Sequence, residues 1–529
     1  MRKTILTTAA ILIMGSFVTA QEISQKMAER VAVNFYYEKY NQYMGNLEYA
    51  KAGIDDTYNR EKDGAVSCYI FNMKPKGFMI VAAYQGTGPI LGYGFEFPFK
   101  TENQPPNLAY WMNIYDEQIS MMREQGIKPA EEILNLWDHY MRDDFRHVDI
   151  KPGSRMVQPL LTSLWNQNWP YNYYSPEASG GPHGHAWAGC VAVAYVQVMY
   201  YWQFPQHGSG YKCYTPESHP EYGEQCADFE NTWYRWEEMC DEPKTTNLAI
   251  AELMYQAGVA LEMNFGPDGS GAMGFPEQIE AHFPISTDLD SIQRALYTDT
   301  EWKNLIINQL DQGLPLGYVG FSPSSGHMWN CDGYQDTSYF HMNWGWGGQS
   351  NGYYMLDNLQ GFNTYQFLGV NFYPGEGSAY PNYASGQDTL TYFEGNITDG
   401  SGPVHKYLNN TTASWLIKPQ TETDSVSMIN FTVKKLSLGV NDHLIIYDGK
   451  DELAAVLYDL TVGSSIPEEF STTGNQAFIS FSSDESDPGE GFYVNYHCTR
   501  PEWCHGLTTD KRFHLLGFRR QRQVLLQQQ

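Results

Sequence analysis

The chain has 529 residues, of which 42% are hydrophobic, 15% aromatic and 18% charged. That is enough apolar material for several packed cores, about three domains by length, and it excludes a disordered chain. A net charge of −28 argues against nucleic-acid partners and anionic membranes, since such a chain repels both.

Arg2 and Lys3 precede the apolar run Ala9–Met14, and Val18-Thr19-Ala20 offers small residues before Gln21. This is the pattern of a secretory signal peptide over 1–20, too short to span a bilayer. No later stretch reaches about 18 apolar residues, so no transmembrane segment is expected and the mature chain should be secreted or held at the cell surface. Residues 21–152 begin with a helical pattern from about Ile23 to Tyr40. Short apolar runs follow at Val66–Met73, Phe78–Ala83 and Ile90–Tyr93, punctuated by Gly77, Gly86, Gly88 and Pro89. A second helix is expected from Leu108 to about Met122, where Trp111, Ile114, Tyr115, Gln118 and Ile119 share one face. This reads as a small α+β unit. The polar break that follows ends in Lys151-Pro-Gly-Ser-Arg155, and basic residues in a Pro/Gly loop make a natural cut site, with Lys151 and Arg155 its candidates.

Residues 153–375 form a second segment, in which a helix is expected to start at Cys190 with the run CVAVAYVQVMYYW. Strands are expected from Leu314, from His327, from Tyr339 and from Gly352. A helix-rich half followed by a strand-rich half is an α+β arrangement. Residues 376–498 carry alternating segments such as SMINFTVKK, HLIIYDG, AFISFSS and GFYVNY between turn residues, the pattern of an all-β sandwich. The remainder, 499–529, switches to a basic composition and is expected to be a disordered tail. One codon choice for Phe518–Gln529, moved by one base, reads like the TDGSG…YLNN stretch upstream, which points to a frameshifted start of a second repeat of that domain.

The chemistry-bearing residues lie in the second segment. A cysteine nucleophile needs a lowered thiol pKa, a nearby base and donors for the developing oxyanion. Gly189 lets the chain turn tightly before Cys190, and a thiol at a helix N-terminus feels the positive end of the macrodipole. His327, held on a strand, is a candidate base. Asn343 could fix its tautomer, while Trp344 and Trp346 could shield that contact from water. Gln167, in LLTSLWNQNWPYN, is a candidate oxyanion donor beside the Cys190 N–H.

Five segments together resemble the streptopain family of cysteine peptidases, which share a papain-like fold: WNQNWPYN (165–172), GHAWAGCVAVAYVQVMYYWQFP (184–205), NFGPDGSGA (264–272), GHMWNCDGY (326–334) and FHMNWGWGGQSNGYYMLDNL (340–359). The resemblance covers about 156–375. It implies a two-lobed α+β catalytic domain with Cys190 as nucleophile, His327 as base, Gln167 in the oxyanion hole, and Asn343 or Trp344 orienting the base. It also implies that His185 is not the general base, and that Ser270 and Gly326 line the substrate groove, with Gly189 and Trp346 the further groove candidates. The N-terminal segment is similar to the family's propeptide, notably in GFMIVAAYQGTGPILGYGFEF, which implies a zymogen whose propeptide inhibits its own mature domain. Residues 393–498 resemble a CUB-like domain, which implies a protein or glycan partner. Asp442 and Asp484 fit calcium-ligand positions of such domains, but the stretch before them, KKLSLGV, lacks the acidic residue expected there. No cofactor is expected.

The chain departs from the family in its cysteines. Cys213, Cys226, Cys240 and Cys331 are extra thiols; a disulfide with Cys190 would abolish activity, and Cys331, four residues after the base, is the one to watch. Cys498 and Cys504 lie close enough to pair. The expected function is thus a secreted cysteine endopeptidase acting on polypeptides through a thioester acyl-enzyme. Two other readings stand beside it: an inert surface protein whose aromatic groove and CUB-like domain capture polypeptide or glycan, and a transglutaminase-like acyl transferase using the same Cys–His chemistry. A metalloprotease is disfavoured because His-Glu-x-x-His is absent.

Overall fold

The computed structural model describes residues 20–151, 153, 155–322, 325–356, 365–420, 425–465, 467 and 469–501. The expected signal peptide, but for its last residue, and the basic tail with Cys504 lie outside the described residues.

In chain order the N-terminal part holds helix α1 (Gln25–Tyr43), strands β1 (Gly53–Lys62), β2 (Ala65–Lys74), β3 (Phe78–Ala82) and β4 (Ile90–Gly94), helices α2 (Pro106–Gln125) and α3 (Glu131–Tyr140), and the short strand β5 (Met156–Val157). Next come α4 (Cys190–Trp202), the hairpin β6 (Tyr211–Tyr214) and β7 (Gln225–Asp228), α5 (Leu248–Ala260), α6 (Pro276–Glu280), β8 (Asp290–Gln293) and α7 (Asp299–Leu310). Strands β9 (Leu316–Ser322), β10 (Ser325–Gln335), β11 (Tyr339–Asn343), β12 (Gly352–Met355) and β13 (Gln366–Val370) follow. The last stretch is all strand: β14 (Gly386–Leu390), β15 (Glu394–Thr398), β16 (Thr412–Ile417), β17 (Met428–Ser437), β18 (His443–Asp448), β19 (Ala455–Leu460), β20 (Phe470–Ser471), β21 (Ala477–Ser482) and β22 (Gly491–Thr499). The fold is α+β with a sheet-rich C-terminal part, as the patterning implied.

Two compact units draw on non-adjacent stretches of chain. One takes the residues up to Leu161 together with Asp290–Asn371; the other takes Thr162–Leu289 together with the residues from Phe372 on. The first unit is built on one sheet in the order β1-β2-β3-β4-β12-β11-β10-β9-β13-β8, with β5 pairing β10. The seam between its early and late strands is β4 against β12, where Tyr93 faces Tyr353 and Gly92 faces Tyr354. Helix α2 lies on this sheet. Its N-terminus is set by Pro106 and its end by Gly126 in the left-handed region. Trp111, Tyr115 and Ile119 all fall on its buried face, as their spacing implied.

In the second unit α4 is apolar on every side. Each of its residues except Tyr201 is buried, which marks a core helix rather than an amphipathic one. The C-terminal strands form two layers, β14-β16-β21-β18-β19 and β15-β22-β17-β20, around Trp415, Ile417, Phe431, Ile446, Phe481 and Val494. Among the described residues no helix is long and apolar enough to cross a membrane.

Candidate active site

Cys190 belongs to the second unit and His327 to the first. On the cysteine side, α4 begins at Cys190 itself. The preceding Gly189 has φ +95, a backbone conformation that favours glycine, and it packs against the Met263 side chain. Cys190 thereby sits in the first turn, whose N–H groups have no partner within a helix and carry its positive dipole end. Gln167 is buried and its carbonyl accepts from the Ala188 N–H at 3.0 Å, while the Asn166 side chain accepts from the Gln167 N–H at 2.7 Å. The glutamine segment and the cysteine turn are therefore laced together. Ser270 fastens the same turn: its hydroxyl donates to the Trp187 carbonyl at 2.6 Å and accepts from the Gly266 N–H at 3.0 Å. Trp187 adds an indole N–H to the Pro267 carbonyl at 2.9 Å. His185 has its Nδ1 2.9 Å from the Ser175 carbonyl oxygen and its ring stacked with Tyr173, a fixed side chain of the loop.

On the histidine side, His327 is the third residue of β10 and is half-buried; burial pushes its imidazole below the ordinary value. The period of two puts His327 and Trp329 on one face of the strand. Trp329 is fully buried against Tyr318 (5.1 Å between centroids) and Trp344 (5.3 Å). Asn343 faces Asn330 across the β10–β11 ladder, and its side-chain oxygen accepts from the Gly345 N–H at 3.2 Å. The run Asn343–Asn351 then turns through Gly345, Gly347 and Gly348, all at positive φ, so these glycines form a tight turn. Trp344 is buried and donates its indole N–H to the Ser350 carbonyl. Trp346 is half-buried, and Gly326 is exposed at the start of β10, opposite Phe321.

The N-terminal part packs directly on this histidine-bearing sheet. The Asn107 amide of α2 donates to the Trp344 carbonyl at 2.8 Å, and the Tyr115 hydroxyl donates to the Met355 carbonyl at 2.8 Å. Trp111 meets Tyr318 at 5.7 Å and Trp329 at 6.0 Å. From α1, Lys39 and Tyr43 both engage the Asp336 carboxylate in the β10–β11 turn. Of the candidate cut residues, Lys151 is exposed, its carbonyl accepting from Gln42. Arg155 is less free than a bare loop residue: its guanidinium pairs with Asp311 and its carbonyl accepts from the Asp336 N–H at 3.1 Å.

One buried cluster escaped the sequence reading. Asp332, fully buried in β10, takes the His341 ring nitrogen at 2.6 Å and the Leu161 N–H at 3.0 Å, while its carbonyl takes the Leu160 N–H. Its Asp-Gly sequence carries a turn signal that the strand overrides through a bulge between Cys331 and Gly333. The cysteine expectation also resolves. The disulfide among the described residues joins Cys213 and Cys226, facing partners in the β6–β7 hairpin, and neither Cys190 nor Cys331 is in one. Burial holds the Cys331 thiol well above its ordinary value, which makes it unreactive. Asp442 accepts from the Tyr407 hydroxyl and the Asp484 N–H; Asp484 accepts from Asn441 and Ser486. Both carboxylates thus act as acceptors that close turns.

The profile of the Peptidase C10 family matches residues 165–354, that of the Spi protease inhibitor residues 20–119, and that of the CUB domain residues 386–496. Streptopain of Streptococcus pyogenes is 28% identical over 338 residues, covering 58% of this chain and 80% of that protein. Prointerpain A of Prevotella intermedia, solved as a fragment, is 30% identical, with 60% of this chain and 99% of that chain covered at a TM-score of 0.49. This chain belongs to the streptopain family of cysteine peptidases. It carries the family's inhibitor domain ahead of the peptidase domain and a CUB domain behind it. The thiol protease/hemagglutinin PrtT of Porphyromonas gingivalis is 27% identical over 368 residues, 68% of this chain, and the chain spans only 41% of that relative's length.

Proposed function

We propose that the chain is a secreted cysteine endopeptidase made as a zymogen, with residues 1–20 removed as a signal peptide, 21–152 as propeptide, 153–375 as the catalytic domain and 376–498 as the CUB-like domain. Cys190 is the nucleophile and His327 the base. The thiolate attacks the substrate carbonyl carbon, and the oxyanion that forms takes hydrogen bonds from the Cys190 N–H and the Gln167 amide. The imidazolium then gives its proton to the leaving amine as the C–N bond breaks, leaving a thioester. Water, deprotonated by the imidazole, hydrolyses that thioester and restores the thiol. Asn343 and Trp344 orient and shield the base; Ser270, Gly326, Gly189 and Trp346 line the groove.

The observation that carries this reading is the hydrogen bond from the Ala188 N–H to the Gln167 carbonyl, which ties a candidate oxyanion donor to the turn that leads into a cysteine at the first position of a helix. Latency follows from α2: Asn107 and Trp111 hold the Trp344 and Trp329 surface that adjoins the base, so the propeptide must leave before the base is free to work. Cleavage within Lys151–Arg155 releases it; both end residues are exposed, and Lys151 lacks the Asp311 ion pair that holds Arg155.

The test is purified precursor in reductant, followed by mass spectrometry and turnover of an unstructured polypeptide. The wild type loses about the first 150 residues and releases new peptide termini, whereas Cys190→Ala does neither. Isopeptide products would mark an acyl transferase instead, and stoichiometric binding without turnover would mark an inert relative.

A further inference from the structure

The CUB-like domain is docked on the cysteine-bearing lobe through buried polar groups. Asp241, 4% exposed, sits at the centre. Its carboxylate accepts from Thr162 (2.6 Å) on its own lobe and from Tyr493 (2.7 Å) and Asn495 (2.7 Å), both on β22 of the CUB-like domain. The Tyr493 hydroxyl also meets that of Tyr200 on α4. Beside it, Asn396 of β15 donates to the Trp236 (2.7 Å) and Met239 (2.9 Å) carbonyls and accepts from Gln203, just past the end of α4. Glu394 accepts from the Lys244 N–H and the Thr245 hydroxyl, both at 2.9 Å. Gly395 approaches so closely that a Cβ would stand 2.2 Å from the Glu237 carbonyl oxygen.

Two of the groups gripped by β22, Asp241 and Tyr200, also hold the candidate oxyanion segment. The Trp165 ring packs on Tyr200 at 4.7 Å, and its indole N–H donates to the Cys240 carbonyl at 2.9 Å. The Leu164 N–H donates to the Asp241 carbonyl at 2.8 Å. Ser163 donates to Gln197 of α4 at 3.1 Å. Gln167 lies two residues beyond Trp165. A continuous set of buried contacts therefore runs from Tyr493 and Asn495, through Asp241, Tyr200 and Trp165, to the turn that carries Gln167 and the helix that starts at Cys190.

We propose that the CUB-like domain is a built-in part of the catalytic apparatus, in which Tyr493 and Asn495 are positioning residues that set the oxyanion segment by way of Asp241. The proposal rests on the reading of Cys190 and Gln167 given above. It also assigns the β15–β22 face to the chain's own peptidase lobe, so a partner of this domain must use another face. A burial of this kind is costly to disturb, because removing one donor leaves a desolvated carboxylate short of a partner.

The experiment uses the full chain after activation. Tyr493→Phe removes the hydroxyl shared by Asp241 and Tyr200; Asp448→Ala, which loses an exposed contact with Thr473 on the same domain, is the control. Active sites are counted by thiol alkylation at Cys190, so kcat is expressed per competent site. Tyr493→Phe is expected to lower kcat about 3- to 10-fold with KM within about twofold, and Asp448→Ala to leave both unchanged. A purely structural contact would lower the number of alkylated sites and the melting temperature but leave kcat per site at the wild-type value, and that result overturns the proposal. If Tyr493→Phe does not fold, Asn495→Ala carries the same comparison. Wild-type turnover independent of Cys190 would instead sink the underlying reading.

Discussion

Replacing Asn107 by alanine should loosen the propeptide without touching the mature enzyme. The Asn107 amide donates to the Trp344 carbonyl at 2.8 Å, and both residues are fully buried. Alanine leaves that carbonyl desolvated and unpaired, a loss of about 1–3 kcal/mol. If α2 must lift off before Cys190 becomes reactive, the open population rises by the corresponding factor, about 5- to 150-fold. The assay is the initial rate of Cys190 alkylation in intact precursor, followed by intact mass before any processing, together with the lag before peptidase activity. The faster labelling and shorter lag should come with an unchanged kcat/KM once processing is complete, because residue 107 has then been removed. Gln104→Ala, which loses only an exposed hydrogen bond to Lys100, should behave as wild type. Labelling of Asn107→Ala within about twofold of wild type would refute the reasoning that this helix gates the site.

Gln167→Ala should lower kcat about 100- to 1,000-fold, while alkylation of Cys190 persists, since the amide acts on the oxyanion and not on the thiol. Cys213→Ser should lower the urea midpoint by the equivalent of up to about 3 kcal/mol, because the bridge closes a separation of 13 residues, and reductant should do the same to the wild type. The pH dependence has a sign fixed by burial of His327, which holds its imidazole below the ordinary value near 6.5. The fold therefore favours the neutral ring, a contribution that is complete above about pH 6.5 and is lost as pH falls toward the depressed value. The melting temperature of a Cys190→Ala precursor should thus drop on acidification toward about pH 5, less so when His327→Asn is added.

The elements that define the site were the most legible. The run CVAVAYVQVMYYW coincides with α4 because a solid apolar stretch bounded by glycine and by a polar residue has few other folds open to it. The strands at His327, Tyr339 and Gly352 were visible from their aromatic and flanking turn residues. Strand β1, GIDDTYNREK, was not, since none of its residues is buried and it carries no apolar alternation; its partner β2 in the sheet is what reveals it as a strand. Helix α7 begins with a Thr298–Glu301 capping box, a local signal present in the sequence and passed over. The Asp332–His341 pair and the Asp241 cluster could not be read at all. Each joins polar residues whose neighbours in sequence give no hint of burial, and only the tertiary fold makes the carboxylate scarce in donors.

The β4–β12 seam has a consequence for the life of the molecule. Strands β1–β4 emerge from the ribosome long before β12, so the open edge of β4 waits through the synthesis of residues 95–351. Once the ladder closes, β4 covers the edge of β12, and the removal of residues 21–152 proposed above would uncover it. A mature chain left by that cleavage would have to refold, once unfolded, without the strand that β12 pairs with here.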